Sequence, residues 1–122
     1  MTVRRVLVVD DQQDMREMVK LSLQLGRSWE VLTAASGREA LEIAVVERPD
    51  AILLDAMMPD MDGPATFARL RLDVATRAIP VVLLTADTQG FDSREFDGVI
   101  QKPFNPLKLA GQVAVVLGWI EQ

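Results

Sequence analysis

The sequence contains no cysteine, no histidine and no tyrosine. Without cysteine and histidine it has no disulfides, no thiolate nucleophile, no Cys/His zinc or iron site and no Ser-His or Cys-His catalytic pair. Basic residues are in the minority, with 13 Lys and Arg against 18 Asp and Glu and a formal net charge of -5. This balance argues against direct, sequence-independent nucleic-acid binding and favours a partner with a basic surface. The remaining chemistry is that of carboxylates, hydroxyls, amines and the backbone.

Long apolar runs are missing too. No stretch approaches the roughly 20 apolar residues that span a bilayer. The run at residues 6–9 is too short for a signal-peptide core and is followed by two aspartates. We therefore expect a cytoplasmic protein that does not enter a membrane. A chain of 122 residues, 49% of them hydrophobic, predicts one domain over residues 1–122 with its own core.

Short apolar runs alternate with longer segments of helical spacing, which is typical of an α/β protein. The sequence predicts strands at residues 6–9, 30–34, 51–54, 81–84 and 98–101. It predicts regular helices at residues 14–25, 37–47, 63–74 and 105–120. Gly26 is expected to end the first helix, Ser36 to cap the second and Pro106 to begin the last. Five alternating βα units predict a doubly wound parallel sheet.

One crossover in this pattern is short. Between Thr85 and Lys102 the chain leaves one strand and enters the next with only 13 residues, 86–98, in between. A crossover with its helix needs at least about 10 to 12 residues. We expect a shortened or irregular fourth helix here, of one or two turns around residues 93–96.

Polar side chains stand where the predicted strands end. Asp10 and Asp11 follow the first strand, Asp55 the third, Thr85 the fourth and Lys102 the fifth. Ligands of doubly wound sheets bind at the carboxyl ends of the strands, so we expect these groups at one edge. Crowded carboxylates need a cation, and Mg²⁺ fits because it accepts one or two carboxylates while keeping several waters. The available nucleophile is a carboxylate, which suggests phosphoryl transfer onto Asp55.

Four short motifs in this order match a known family. They are VVDD at 8–11, LDAMMPDMDG at 54–63, LTA at 84–86 and KPF at 102–104. Together they make nearly the whole chain resemble the receiver (response-regulator) domain of two-component signalling. The resemblance implies a flavodoxin-like, five-stranded parallel sheet of strand order 2-1-3-4-5.

The resemblance also implies a role for each site residue. Asp55 would accept a phosphoryl group from a histidine kinase or histidine phosphotransfer protein. The Mg²⁺ ligands that it implies are Asp10, Asp11, Asp55 and the Met57 backbone carbonyl. Thr85 would bind a phosphoryl oxygen, and Lys102, followed by a cis Pro103, would pair with the phosphate. Such a domain signals by altered partner binding and is not classed as an enzyme; its downstream target and its homodimerisation stay open.

Within the loop that follows Asp55, we expect two kinds of local role. The side chains of Met57, Met58 and Met61 are expected to pack within the loop. Asp62 is expected to cap the next helix.

Two features depart from the family pattern. Val99 stands where receivers carry an aromatic residue that moves with the threonine, and the 86–98 crossover is short, so we expect a mobile segment and an unusual partner surface. Asp87 is either a solvated loop acid or a residue that controls water near Thr85.

Two alternatives to a phosphoacceptor domain are a receiver-like interaction module that works without phosphorylation and an aspartate-nucleophile phosphatase of the haloacid dehalogenase class. The second is disfavoured because Met57 stands where that class has a second Asp.

Overall fold

The structure is a computed structural model that describes residues 3–87 and 92–119. Its strands are β1 (Arg5–Val9), β2 (Glu30–Ala34), β3 (Ala51–Asp55), β4 (Val81–Thr85) and β5 (Gly98–Gln101). Its α-helices are α1 (Gln13–Arg27), α2 (Gly37–Glu47), α3 (Gly63–Leu72) and α4 (Leu109–Leu117). None of the helices in these ranges is long and apolar enough to cross a membrane.

All five strands are parallel and lie in the order β2-β1-β3-β4-β5, which confirms the predicted doubly wound sheet. The register aligns the carboxyl ends of the strands. The pairs nearest those ends are Val9 with Leu54, Asp55 with Leu84 and Thr85 with Gln101. The polar residues that end each strand are therefore brought to one edge of the sheet.

Apart from a polar residue at one end of each, the central strands β1, β3 and β4 are apolar because helices cover both of their faces. One face carries Val6, Val8, Leu53, Val82 and Leu84, in one cluster with residues of α1 and α4. The other carries Leu7, Val9, Ile52, Leu54, Val81 and Leu83, in one cluster with residues of α2 and α3. Each of these side chains is at most 2% exposed, and burying one stabilises the fold by roughly 1.5 to 3 kcal/mol. The sheet is thus a rigid base for the edge that carries the polar groups.

The first helix corrects a prediction. Gly26 does not end α1; the helix continues to Arg27, and Ser28 takes the left-handed conformation with φ 57°. The N–H of Ser28 donates to the Gln24 carbonyl, which closes the end of the helix. A Cβ at Gly26 would lie 2.9 Å from the Ala110 Cβ, so this glycine allows α1 and α4 to approach closely.

Two further helices are shorter than predicted. The last helix begins at Leu109, not at Pro106, because residues 105–108 form a turn in which the Lys108 N–H donates to the Asn105 carbonyl. It ends at Leu117, before Gly118 with φ 73°, and residue 120 lies outside the described residues. Helix α3 stops at Leu72 instead of residue 74. Helix α2 has the predicted bounds and the predicted Ser36 cap, whose hydroxyl accepts from the Glu39 N–H.

The short crossover is irregular, as predicted. Its described residues contain only a 3-10 turn at Ser93–Glu95 and no α-helix. Phe96 packs in the same core cluster as Phe67 of α3. It is 7% exposed, and the centroids of the two rings lie 4.5 Å apart. Asp97 accepts from the Val81 N–H at 2.7 Å and from Arg71 at 2.9 Å. Residues 88–91 lie outside the described residues, so the predicted mobility of this segment stays a prediction.

Candidate functional site

Three aspartates meet at the carboxyl edge of the sheet. Asp10 and Asp11 follow β1, Asp55 ends β3, and these two strands are hydrogen-bonded neighbours. One carboxylate oxygen from each residue lies within 4.8 Å of those of the other two. Asp10 and Asp55 are only 2% and 6% exposed, whereas Asp11 is exposed to solvent. The structure thus assembles a half-buried acidic cluster from residues far apart in sequence.

Lys102 brings the cationic group to this cluster from the end of β5. Its Nζ donates to Asp55 Oδ1 at 2.8 Å and lies 3.8 Å from Asp10 Oδ2. Its backbone N–H donates to the Thr85 carbonyl, and the Lys102-Pro103 peptide bond is cis, as predicted. Three carboxylates face one ammonium, so the cluster keeps an excess of negative charge.

Burial dominates the electrostatics of Asp10. Its pKa is raised from the ordinary 3.8, first because the carboxyl is removed from water and then because Asp55 and Asp11 repel its charge. The Gln12 N–H, which donates to Asp10 Oδ1 at 2.9 Å, and the Lys102 ammonium act in the opposite direction and do not compensate fully. A divalent cation on the same oxygens would relieve this unfavourable charge. Clustered carboxylate oxygens are the donors that Mg²⁺ prefers, so these residues fit that ion.

The hydroxyl of Thr85 is not directed into the acidic cluster by a hydrogen bond. Thr85 ends β4 and is 3% exposed. Its Oγ1 donates to the Asp87 carbonyl at 2.7 Å and accepts from the Asp87 N–H at 3.1 Å. The hydroxyl is therefore engaged within its own loop in this structure.

The loop after Asp55 is close to the site, but one prediction about it is wrong. The side chain of Met57 does not pack within the loop; Met57 is 78% exposed, whereas Met58 is 9% exposed and joins the core. Asp62 caps α3 as predicted, and its Oδ1 accepts from the Ala65 N–H at 2.9 Å. A Cβ at Gly63 would lie 2.7 Å from the Asp55 carbonyl oxygen, so glycine is needed where the loop returns over the site.

Arg16 also contacts the site, and the motifs give no reason to expect it there. Its Nη1 donates to the Asp10 backbone carbonyl at 2.7 Å. Cations are disfavoured near the N-terminus of a helix because of the helix dipole. Arg16 lies near the start of α1, where its charge interacts unfavourably with the helix dipole. A cation in such a position is the one signal in the sequence that could have indicated a compensating contact.

Comparisons with known proteins identify the family of this chain. The family model described as the response regulator receiver domain matches residues 6–114. The chain belongs to this family. As a family, receiver domains bind Mg²⁺ at an acidic pocket and interact with histidine kinases.

Among solved structures, this receiver domain is similar to the chemotaxis protein CheY4 of Vibrio cholerae, with 36% identity and a TM-score of 0.86 over 95% of this chain and 100% of that one. It is also similar to the receiver domain of the sensor histidine kinase PA1611 from Pseudomonas aeruginosa PAO1, with 27% identity and a TM-score of 0.83 over 96% of this chain and 99% of that one. That structure is described as having a magnesium ion coordinated in the active site cleft.

Among curated relatives, this receiver domain is 34% identical to the phosphate regulon transcriptional regulatory protein PhoB of Pseudomonas aeruginosa, over 96% of this chain and 53% of that protein. It is 33% identical to the alkaline phosphatase synthesis transcriptional regulatory protein PhoP of Bacillus subtilis, over 93% of this chain and 48% of that protein. The chain therefore spans about half the length of the curated relatives that it matches.

Proposed function

We propose that this receiver domain is phosphorylated on Asp55 by a histidine kinase or a histidine phosphotransfer protein, in a reaction that depends on Mg²⁺. One observation carries the proposal. A buried carboxylate, Asp55, lies against the Lys102 ammonium at 2.8 Å and shares an acidic cluster with Asp10 and Asp11. This arrangement combines a nucleophile, a fixed positive charge and the donors for a hard cation within one small space.

The group transfer balances with these residues. An oxygen of the Asp55 carboxylate attacks the phosphorus of a phosphohistidine; the new P–O bond forms as the P–N bond breaks, and the imidazole nitrogen keeps the electron pair. Lys102 is placed to pair with a phosphoryl oxygen. Bound Mg²⁺ would supply charge neutralisation for the phosphoryl oxygens, and its ligands would be Asp10, Asp11, Asp55 and the Met57 carbonyl.

The output step would start at Thr85. To donate its hydroxyl proton to a phosphoryl oxygen, Thr85 has to release the Asp87 carbonyl that it now binds at 2.7 Å. That release frees the backbone at the start of the 86–98 crossover, whose described residues contain no α-helix. Because Val99 offers no aromatic ring, we propose that the signal leaves through this backbone segment and changes the affinity for a partner protein.

The same proposal includes the setting of the domain. It acts as a cytoplasmic signalling module and not as an enzyme, and its net charge of -5 disfavours direct contact of this domain with nucleic acid. The partner class that the chemistry of the site indicates is a protein that donates a phosphoryl group from a phosphohistidine.

The proposal is tested by incubating the protein with acetyl phosphate and Mg²⁺ and measuring its intact mass. We expect a gain of one phosphoryl group that disappears when Mg²⁺ is chelated and in Asp55→Asn. Asp60→Asn is the matched control, because Asp60 is an exposed loop acid five positions after the phosphoacceptor and its positive φ of 66° is tolerated by asparagine. Equal labelling of Asp55→Asn would refute the assignment. No labelling of the wild-type protein would instead favour an interaction module that works without phosphorylation.

A further inference from the structure

We propose that Arg16 is a positioning residue for the Mg²⁺ site, because its guanidinium holds the peptide unit that joins Asp10 to Asp11. The inference rests on the proposed function, since it concerns the metal on which the proposed phosphorylation depends. Arg16 acts through the backbone of Asp10 and not by direct contact with the reacting atoms.

The contact is local in sequence but joins two elements. From α1, the Arg16 side chain reaches back six positions to the residue after β1, where Nη1 donates to the Asp10 carbonyl at 2.7 Å. Arg16 is half-buried, and a hydrogen bond from an ionised donor is about twice as strong as a neutral one. The hydrogen bond of Arg16 therefore links the first turns of α1 to the residue that follows β1.

The fixed atom determines where two carboxylates point. The Asp10 carbonyl belongs to the same rigid peptide unit as the Asp11 N–H, so holding the carbonyl fixes the plane from which both residues project. Two further bonds locate Asp10: its N–H donates to the Ala34 carbonyl at 3.1 Å, and its Oδ1 accepts from the Gln12 N–H at 2.9 Å. The remaining oxygen, Oδ2, lies 3.8 Å from Lys102 Nζ.

The charge and the contact of Arg16 have opposite effects on metal binding. A cation near the site repels Mg²⁺, so removal of the charge alone would tighten binding by about twofold to threefold at this solvent-accessible edge. Loss of a residue that orients a metal ligand instead weakens binding, typically by about 10-fold to 100-fold. Within the described part of the chain Arg16 forms no ion pair with a carboxylate, and its side-chain hydrogen bond goes to the Asp10 carbonyl. Because the loss of positioning is the larger of the two effects, we expect removal of Arg16 to weaken Mg²⁺ binding.

The test is a Mg²⁺ titration of the metal-free full chain, followed by amide proton–nitrogen NMR, which reports both the dissociation constant and the integrity of the fold. Arg16→Met keeps the apolar stem and removes the donor. Arg71→Met is the matched control: Arg71 is also half-buried and donates to a backbone carbonyl, that of Ile79 at 2.9 Å, but at the opposite end of the strands. It tests whether general loosening of the fold is enough to weaken metal binding.

We expect Arg16→Met to raise the Mg²⁺ dissociation constant about tenfold, Arg16→Lys to give an intermediate value, and Arg71→Met to leave it unchanged. If Arg16→Met does not fold, Arg16→Lys decides. Wild-type affinity in the folded Arg16→Met protein, tighter binding, or equal weakening by Arg71→Met would overturn the inference while the proposed function stands. Absence of Mg²⁺ binding by the wild-type protein would overturn both.

Discussion

Replacing Asp10 with asparagine should stabilise the metal-free protein. Within 4.8 Å, the repulsion between Asp10 and Asp55 is at least about 3.5 kcal/mol at an effective dielectric constant of about 20, and the attraction of Lys102 at 3.8 Å is about 4 kcal/mol. These two contributions nearly cancel, and exposed Asp11 adds a smaller repulsion, so this repulsion and the cost of burying the charge of Asp10 both favour asparagine. This agrees with burial as the largest cause of its raised pKa.

The expected gain in the free energy of unfolding is about 1 to 2 kcal/mol at pH 7 without metal, which corresponds to an increase in Tm of roughly 4 to 8 °C. An asparagine Oδ1 can still accept the Gln12 N–H, so the turn is retained. Because Asp10 has a raised pKa in the folded state, its ionised carboxylate destabilises the folded protein in full at pH values above that pKa. As the pH falls through the raised pKa towards 3.8, folded Asp10 takes up a proton and the difference between variant and wild type should disappear.

Mg²⁺ should reverse this ranking. At a hundred times its dissociation constant the ion stabilises a binding protein by about 2.7 kcal/mol, which exceeds the advantage of Asp10→Asn, and we expect this gain in the wild type but not in the variant. Thermal unfolding in chelator and in Mg²⁺, at several pH values, measures all three effects. Asp60→Asn removes an exposed charge and should stay within about 0.5 kcal/mol of wild type throughout. An Asp10→Asn protein that is less stable than wild type in chelator at pH 7, or a difference independent of pH, would refute the reasoning.

Two further predictions concern packing near the short crossover. Phe96→Ala should lower the free energy of unfolding by about 3 kcal/mol in a urea titration, because Phe96 is 7% exposed and its ring packs at a tilt against Phe67. A loss below about 1 kcal/mol would show that this aromatic pair does not cover the sheet. Gly98→Ala should lower Tm, since its Cβ would clash with Val116 Cγ1. Gly111→Ala, whose Cβ meets only an ordinary contact at 3.8 Å, should raise stability by about 0.5 to 1 kcal/mol, and the opposite order of the two variants would contradict the packing described.

The sheet could be predicted from the sequence because its central strands need apolar residues on both faces. Short, continuous apolar runs are typical of such buried parallel strands. The same reasoning places Asp55, Thr85 and Lys102 at one edge, since the carboxyl ends of parallel strands coincide. Helix ends were less predictable. Gly26 has the sequence character of a helix stop, but its missing side chain is used for contact with Ala110 inside the interface of α1 and α4.

Details that depend on side-chain direction could not be predicted. The sequence does not reveal that Thr85 bonds to the Asp87 backbone, because a threonine after a strand can turn its hydroxyl either towards the site or into its own loop. Met57 and Met58 are adjacent and chemically identical, yet one is exposed and the other buried. The contact from Arg16 to Asp10 depends on the angle at which α1 leaves β1, which no local motif encodes.

The short crossover has a consequence for how the chain reaches its fold. Val82 pairs with Gly98 only 16 positions away (98 minus 82), whereas Val6 pairs with Ala51, 45 positions away (51 minus 6). The entropy of loop closure grows with the logarithm of this separation, so the first pairing is favoured by about 0.9 kcal/mol. Strands β4 and β5 can thus associate as the most local unit of the sheet, while the pairing of β1 with β3 closes the longest loop. Because that distant pairing joins Asp10 to Asp55, the acidic cluster is complete only once the least local part of the topology has formed.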